Sequence, residues 1–206
     1  MGQDLWLIEK ACKEEGFKCI CGVDEAGRGP LAGPVYAAAV ILPEGLEIEG
    51  LNDSKKLSEK KREKLFDEIR EKAVAYGIAS SSEKEIDEIN ILNASLLAMK
   101  RAVMKLSESP DMILVDGNKT FDFEIPQKAV VKGDSLSANI AAASILAKVS
   151  RDRFMEELAK KYPEYRFEKH KGYPTKLHYE MVEAHGLSDV HRRTFFKKYK
   201  GGVLLG

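Results

Sequence analysis

The sequence is poor in cysteine, in long apolar runs and in net charge, and each shortage excludes something. Three cysteines, Cys12, Cys19 and Cys21, are an odd number, which suits free thiols in a reducing cytosol and not a disulfide framework. The longest apolar stretches, Ala37 to Leu42 and Ile140 to Ala147, fall far short of the ~20 residues that a bilayer-spanning helix needs. The start, Met-Gly-Gln-Asp-Leu-Trp, has neither the basic opening nor the apolar run of a secretory signal. A cytoplasmic protein without membrane association is therefore expected. Thirty-three basic residues balance 33 acidic ones, so no global field draws the chain to nucleic acid. Neither G-x-G-x-x-G nor G-x-x-x-x-G-K-S/T occurs, which weakens a nucleotide-cofactor reading.

What is present is enough for one core. The 206 residues are 44% hydrophobic, the size of one domain or of one domain with a small appendage. Charge is unevenly spread: residues 160–200 hold eleven Lys/Arg against five Asp/Glu, a surplus of six, together with all four histidines. Such a segment fits a phosphate-binding face and equally fits a solvated helical surface. A domain spanning 1–160, opened by a short helix over 5–15, and a basic helical region over 161–206 packed on it are expected, with a single domain over 1–206 as the alternative.

Periodicity predicts strands over 18–23, 35–42, 74–80, 112–115 and 128–131. It predicts helices from a Ser58 cap through Leu65, Phe66, Ile69 and Ala73, over 83–107 with a break near 90–93, over 135–160, and over 176–185 ended by Gly186. The long helix is alanine-rich in its first half, which lets it lie close to a sheet. Two strands with little helix between them, then helices alternating with short strands, indicate an α/β fold with a mixed sheet flanked by helices.

Most carboxylates here belong to helix surfaces. Four do not: Asp24 and Glu25 follow Cys-Ile-Cys-Gly-Val, Asp116 follows Met-Ile-Leu-Val, and Asp134 follows Ala-Val-Val-Lys-Gly. Each sits where an apolar run ends beside a glycine (Gly27, Gly117, Gly133), and in open α/β sheets ligands gather beyond strand ends. Clustered carboxylates repel one another unless a cation neutralises them. Hard oxygen donors select Mg²⁺ or Mn²⁺, and two such ions form the clamp for in-line attack on a phosphodiester. An Asp at a strand end is also a common turn former, and a glycine-rich turn after a strand also cradles nucleotide phosphates in actin-like ATPases. Cys19-x-Cys21 has the wrong spacing for a zinc knuckle, so both thiols are expected in or beside the first strand. His178 and His185 are two helical turns apart, too far to share a metal, and read as polar-face or phosphate-side residues.

Five stretches, taken in order, resemble the type 2 ribonucleases H, specifically the bacterial and archaeal ribonuclease HII family. They are Gly22 to Val35 (GVDEAGRGPLAGPV), Asn52 to Ser58 (NDSKKLS), Leu114 to Asn118 (LVDGN), Lys132-Gly-Asp134 with Ile140–Ser144 and Ala147–Asp152, and His170–Thr175 (HKGYPT) with His191-Arg-Arg193. The resemblance implies an RNase H-like mixed sheet with a C-terminal helical extension. It implies a catalytic, metal-holding quartet at Asp24, Glu25, Asp116 and Asp134, working with two Mg²⁺ or Mn²⁺ ions. Substrate contacts are implied at Gly27, Arg28 and Gly29, whose backbone meets the ribose 2′-hydroxyl, at Ser54 and Lys55, and at Tyr173, whose ring packs on the next sugar; the charge surplus of the basic segment adds Lys169 and Lys171 as candidate phosphate contacts. The implied activity is cleavage of the RNA strand of RNA/DNA hybrids and of DNA duplexes on the 5′ side of embedded ribonucleotides, leaving 5′-phosphate and 3′-hydroxyl ends. A monomer is expected. Thr194-Phe-Phe-Lys-Lys-Tyr199 has paired aromatics but lacks the glutamine of a sliding-clamp-binding peptide, which argues against clamp binding. Two other classes stay open beside this one: a catalytically silent nucleic-acid-binding module, and an actin-like ATPase.

Overall fold

Residues 4–51, 57–197, 199–200 and 203–204 are described by the computed structural model; Ser54 and Lys55 lie outside them. Five strands, β1 (Ile20–Ala26), β2 (Val35–Ile41), β3 (Ala75–Ser81), β4 (Met112–Asp116) and β5 (Gln127–Val130), form one sheet in the order β3-β2-β1-β4-β5. The pairs β1–β2 and β2–β3 are antiparallel, whereas β1–β4 and β4–β5 are parallel. The sheet is thus mixed, as the order of elements suggests. The central pair β1–β4 is apolar on both faces because both faces are covered by helices.

One face carries α3 (Glu83–Val103), whose Ala94, Ala98, Met99 and Ala102 bury Val23, Ala37, Ala39, Ile113 and Val115. A capping box joins Ser82 and Glu85 at its start. Its predicted break is real: Asn90 stands at φ 66°, and its Oδ1 accepts the Asn93 N–H at 3.1 Å. The other face carries α4 (Ala138–Lys161), with α2 (Glu59–Lys72) beside it and α1 (Leu7–Glu14) at the near end. The alanines of α4 let it approach closely. A Cβ on Gly22 of β1 would lie 2.2 Å from the Ile140 nitrogen, so any side chain there would force helix and sheet apart.

The basic end of the chain packs on the second half of α4. It comprises α5 (Phe167–His170), α6 (Lys176–His185), 3₁₀ turns at Pro163–Tyr165 and Arg193–Phe196, and a two-residue pairing of β6 (Tyr199–Lys200) with β7 (Val203–Leu204). Tyr165, Phe167, Val182 and Phe196 bury Met155 and Leu158 of α4, and also Leu31 and Ala32 from the loop after β1. The same cluster therefore joins the C-terminal helices to the glycine-rich loop. No helix among the described residues is long and apolar enough to cross a membrane.

Candidate active site

The first strand runs further than its apolar pattern. Asp24, Glu25 and Ala26 pair with Ala38, Ala37 and Tyr36 of β2, so both acids lie inside β1 and not after it. Val23 pairs with Val115 across the parallel neighbour, which places Asp24 level with Asp116 on the α4 face. Glu25, one residue on, turns to the α3 face, where it lines a small recess with Asp116, Arg28 and Ser95. After β5, Lys132 takes a left-handed turn (φ 59°) into the 3₁₀ turn Gly133–Ser135. There the Gly133 N–H donates to Asp116 Oδ1 at 2.6 Å, and Asp134 follows with its side chain buried.

Three of the four acids feel one another. Burial pushes the Asp24 carboxyl well above the usual carboxylate range, and the charges of Glu25 and Asp116 push it further; the Ser144 hydroxyl and the Glu25 N–H (2.7 Å) oppose this. Burial also raises Glu25, against the pull of the Arg28 guanidinium 3.3 Å away. Such a group of oxygen donors takes up protons or hard divalent cations. The donor chemistry thus fits Mg²⁺ or Mn²⁺. Among the described residues, no three His, Cys, Asp or Glu side chains stand at metal-ligand spacing.

The glycine-rich loop is held from below by two arginines that sequence reasoning left without a role. Arg151 of α4 and Arg192 are both wholly buried. Arg192 donates to the carbonyls of Gly27 (2.7 Å), Arg28 (3.0 Å) and Gly33 (2.8 Å). Arg151 donates to Pro34 (3.2 Å), Ala32 (3.2 Å) and Lys171 (3.1 Å). A buried guanidinium is tolerable only when its donors are met, and six loop and flanking carbonyls do this. The loop carbonyls so bound face inward. Burial lowers both arginines, Arg192 to about 9, so Arg192 still carries its charge at neutral pH.

Tyr173 closes the other side of a cleft of about 310 Å³, with Glu25, Gly27, Ser144, Lys148 and Arg62 on its walls. Tyr173 is 39% exposed. The Arg151 guanidinium carbon lies 5.7 Å from the ring centroid and the Lys148 Nζ 5.9 Å. A Cβ on Gly29 would touch the ring edge at 3.8 Å. Gly27, Tyr173 and Glu25 thus line one opening, with Gly29 at the edge of the ring, and Glu25 also borders the recess that holds Asp116.

The remaining sequence candidates are placed elsewhere. Lys169 is exposed on α5. The Lys171 ammonium turns toward α4 and pairs with Glu156 at 2.8 Å. His178 is not the polar-face residue its spacing suggested, for it is fully buried. Its Nδ1 lies 3.0 Å from the Tyr173 carbonyl and its Nε2 lies 3.1 Å from His191 Nε2. Both ring nitrogens are satisfied inside the protein, and helical spacing alone does not show such contacts. Cys19 and Cys21 are free thiols at the start of β1, as expected.

The family described as Ribonuclease HII matches residues 21–198. A Ribonuclease HII from Caldicellulosiruptor saccharolyticus is 55% identical over 195 residues, 95% of this chain and 95% of that one. Another, from a Marinomonas species, is 62% identical over 177 residues, 85% of this chain and 89% of its own. Among solved structures, the ribonuclease H2 of Pyrococcus horikoshii superposes with a TM-score of 0.72 at 32% identity, covering 86% of this chain and 93% of that one.

Proposed function

The chain belongs to the ribonuclease HII family, and from that premise we propose that it is a divalent-metal-dependent endonuclease of RNA/DNA hybrids that also nicks duplex DNA on the 5′ side of a single embedded ribonucleotide. Ribonuclease H activity is the family's common property; the metal, the nick and the residue roles are our reading. The observation that carries it is the placement of Asp24 and Glu25 on β1 beside Asp116 on the parallel β4, with the turn that bears the buried Asp134 bonded to Asp116 through Gly133.

Asp24, Glu25, Asp116 and Asp134 would hold the ions. Mg²⁺ or Mn²⁺ there supplies the positive charge that acidifies the attacking water and neutralises the phosphate. Burial of Asp24 and Asp134 strengthens that electrostatic work by excluding bulk water. The Gly27–Gly29 backbone, fixed by Arg192, is the rigid edge to meet the ribose 2′-hydroxyl, the group that separates RNA from DNA. Tyr173, across the opening, would pack on the adjoining sugar. Lys169 and, outside the described residues, Ser54 and Lys55 would contact the phosphate backbone, with Lys171 contributing less because Glu156 already neutralises it. Free thiols accord with a reducing, cytoplasmic setting.

The test is a duplex DNA with one ribonucleotide, incubated with Mg²⁺, then with Mn²⁺, then with EDTA. A nick leaving 3′-hydroxyl and 5′-phosphate ends, dependent on the metal, is expected. Binding without cleavage would indicate a silent nucleic-acid-binding module, and release of phosphate from ATP would indicate an ATPase; either result overturns the proposal.

A further inference from the structure

Three of the four histidines lie in the buried aromatic layer beneath Tyr173. His170 and His178 stack with centroids 4.3 Å apart and an interplanar angle of 18°. His191 sits beside them, 5.2 Å from His178 and 4.9 Å from Tyr165. Phenylalanines would fill this space as well, so packing does not explain imidazoles.

The hydrogen bonds do. The Ser188 backbone N–H donates to His191 Nδ1 at 3.0 Å, which makes that nitrogen an acceptor and puts the ring proton on Nε2. His191 Nε2 is 3.1 Å from His178 Nε2, so His178 accepts there and carries its own proton on Nδ1. That Nδ1 is 3.0 Å from the Tyr173 carbonyl. One tautomer set satisfies every contact: Ser188 to His191, His191 to His178, His178 to Tyr173. His170 follows the same rule, with Nδ1 accepting the Gly172 N–H at 3.2 Å and Nε2 facing the Tyr165 carbonyl at 3.0 Å. Burial lowers His178 to about 4 and His191 to about 3, so the rings are neutral near pH 7 and the direction of donation does not alternate.

The far end of this chain of bonds is anchored in the glycine-rich loop. His191 forms an isolated bridge with Ala32, and the next residue, Arg192, holds the Gly27 and Arg28 carbonyls. We propose that His191 and His178 are positioning residues, a directed two-ring relay that sets the Tyr173 backbone, and hence its ring, at a fixed height across the cleft from Gly27–Gly29. This rests on the reading of Tyr173 as the ring that meets the substrate sugar. A relay of this kind converts two substrate-facing elements into one rigid gauge, as a precise site needs.

The experiment compares kcat/KM for nicking a single embedded ribonucleotide in the wild type, His178→Phe, His178→Asn, Tyr173→Ala and the double variant His178→Phe/Tyr173→Ala. His178→Phe keeps the stacking and removes the donor, and should cost about tenfold, the worth of one buried hydrogen bond. His178→Asn, whose amide nitrogen takes the place of Nδ1, should recover most of that. In the Tyr173→Ala background the His178→Phe loss should vanish, because the relay acts only through the tyrosine. An equal loss in both backgrounds overturns the relay while leaving the tyrosine reading intact. Unimpaired nicking by Tyr173→Ala overturns the tyrosine reading, and the relay with it. Should His178→Phe not fold, ¹⁵N NMR of the wild type decides: protons on His178 Nδ1 and His191 Nε2 support the relay, and the opposite tautomers overturn it.

Discussion

A side chain on Gly27 would collide with Arg151, whose Nε lies 2.1 Å from where the Cβ would stand. The guanidinium cannot withdraw cheaply, because its nitrogens already serve the carbonyls of Pro34, Ala32 and Lys171. Gly27 also sits at φ +100°, a conformation that L side chains rarely adopt. The glycine is therefore required twice over, by its own backbone and by the buried cation beneath it. The loop proposed to meet the substrate is held in place by a residue 124 positions later in the chain.

Gly27→Ala is accordingly expected to destabilise the protein by about 2–4 kcal/mol, combining the left-handed strain with displacement of a bonded guanidinium. Urea unfolding measures this directly. A variant within about 0.5 kcal/mol of wild type, the range of ordinary surface changes, would mean that Arg151 yields freely and does not hold the loop.

Asp116→Asn should reduce cleavage on the order of a thousandfold, since it removes one ligand charge worth several kcal/mol in a metal-assisted displacement. The fold should survive, because an asparagine Oδ1 can still accept the Gly133 N–H that now reaches Asp116 at 2.6 Å. Single-turnover nicking and circular dichroism are the paired measurements. Turnover above a tenth of wild type in saturating Mg²⁺ would remove Asp116 from the metal-holding set.

The raised carboxyls of Asp24 and Glu25 give a signed pH dependence. A group whose pKa is higher folded than unfolded adds stability that is complete below its unfolded value, near pH 4, and is lost as pH rises through the folded value. Bound divalent cations replace the lost protons and stabilise the native state. The rise in Tm on adding millimolar Mg²⁺ or Mn²⁺ should therefore be larger at pH 8 than at pH 5. His178 and His191 act the other way in EDTA: depressed to about 4 and about 3, they lose stability as pH falls below about 6.5. The metal increment separates the two effects, and an increment equal at both pH values would count against the carboxylate cluster.

Charge on the C-terminal helices should show in the salt dependence of duplex binding. Lys169 is exposed, whereas Lys171 is paired with Glu156 at 2.8 Å. Each phosphate contact contributes roughly 0.9 to the slope of log K against log salt. Lys169→Gln should reduce the slope by about that amount, and Lys171→Gln by less. Slopes identical to wild type for both variants would place the phosphate contacts on another face.

The parts of this molecule written in local pattern were readable from the chain. Apolar runs located all five main-sheet strands within a few residues, Asn90 broke α3 where expected, and the alanines of α4 announced a close approach to the sheet. The acids stood out because each ends an apolar run beside a glycine. What escaped is non-local. Asp24 and Glu25 lie inside β1 because β2 extends the pairing, and nothing in Val-Asp-Glu-Ala signals a partner strand. Arg151 and Arg192 carry no local sign of their role; their carbonyl partners lie 117 to 165 residues away for all but the Lys171 contact. His178 fitted a polar face by spacing, and only its contact with His191 and the Tyr173 carbonyl makes it internal.

The proposed recognition of the substrate turns on Tyr173. Gly172 before it is at φ +83° and Pro174 after it stiffens the backbone, while the Tyr173 N–H donates to the His170 carbonyl at 2.8 Å and its own carbonyl receives the Thr175 N–H at 2.8 Å. A tyrosine whose backbone is so tied, yet which stays 39% exposed, is better suited to receive a flat or apolar partner than to fill a core. Aromatic packing against a nucleotide is worth about 1–3 kcal/mol, so Tyr173→Ala should slow nicking at a single ribonucleotide by roughly ten- to a hundredfold. Cleavage within a long RNA/DNA hybrid should fall less, because there the sugar beneath the ring is another ribose and not the deoxyribose of a junction. The ratio of the two rates, wild type against variant, is the measurement. Equal losses on both substrates at unchanged Tm would leave the tyrosine in the catalytic cleft but take from it the sensing of the RNA-to-DNA step.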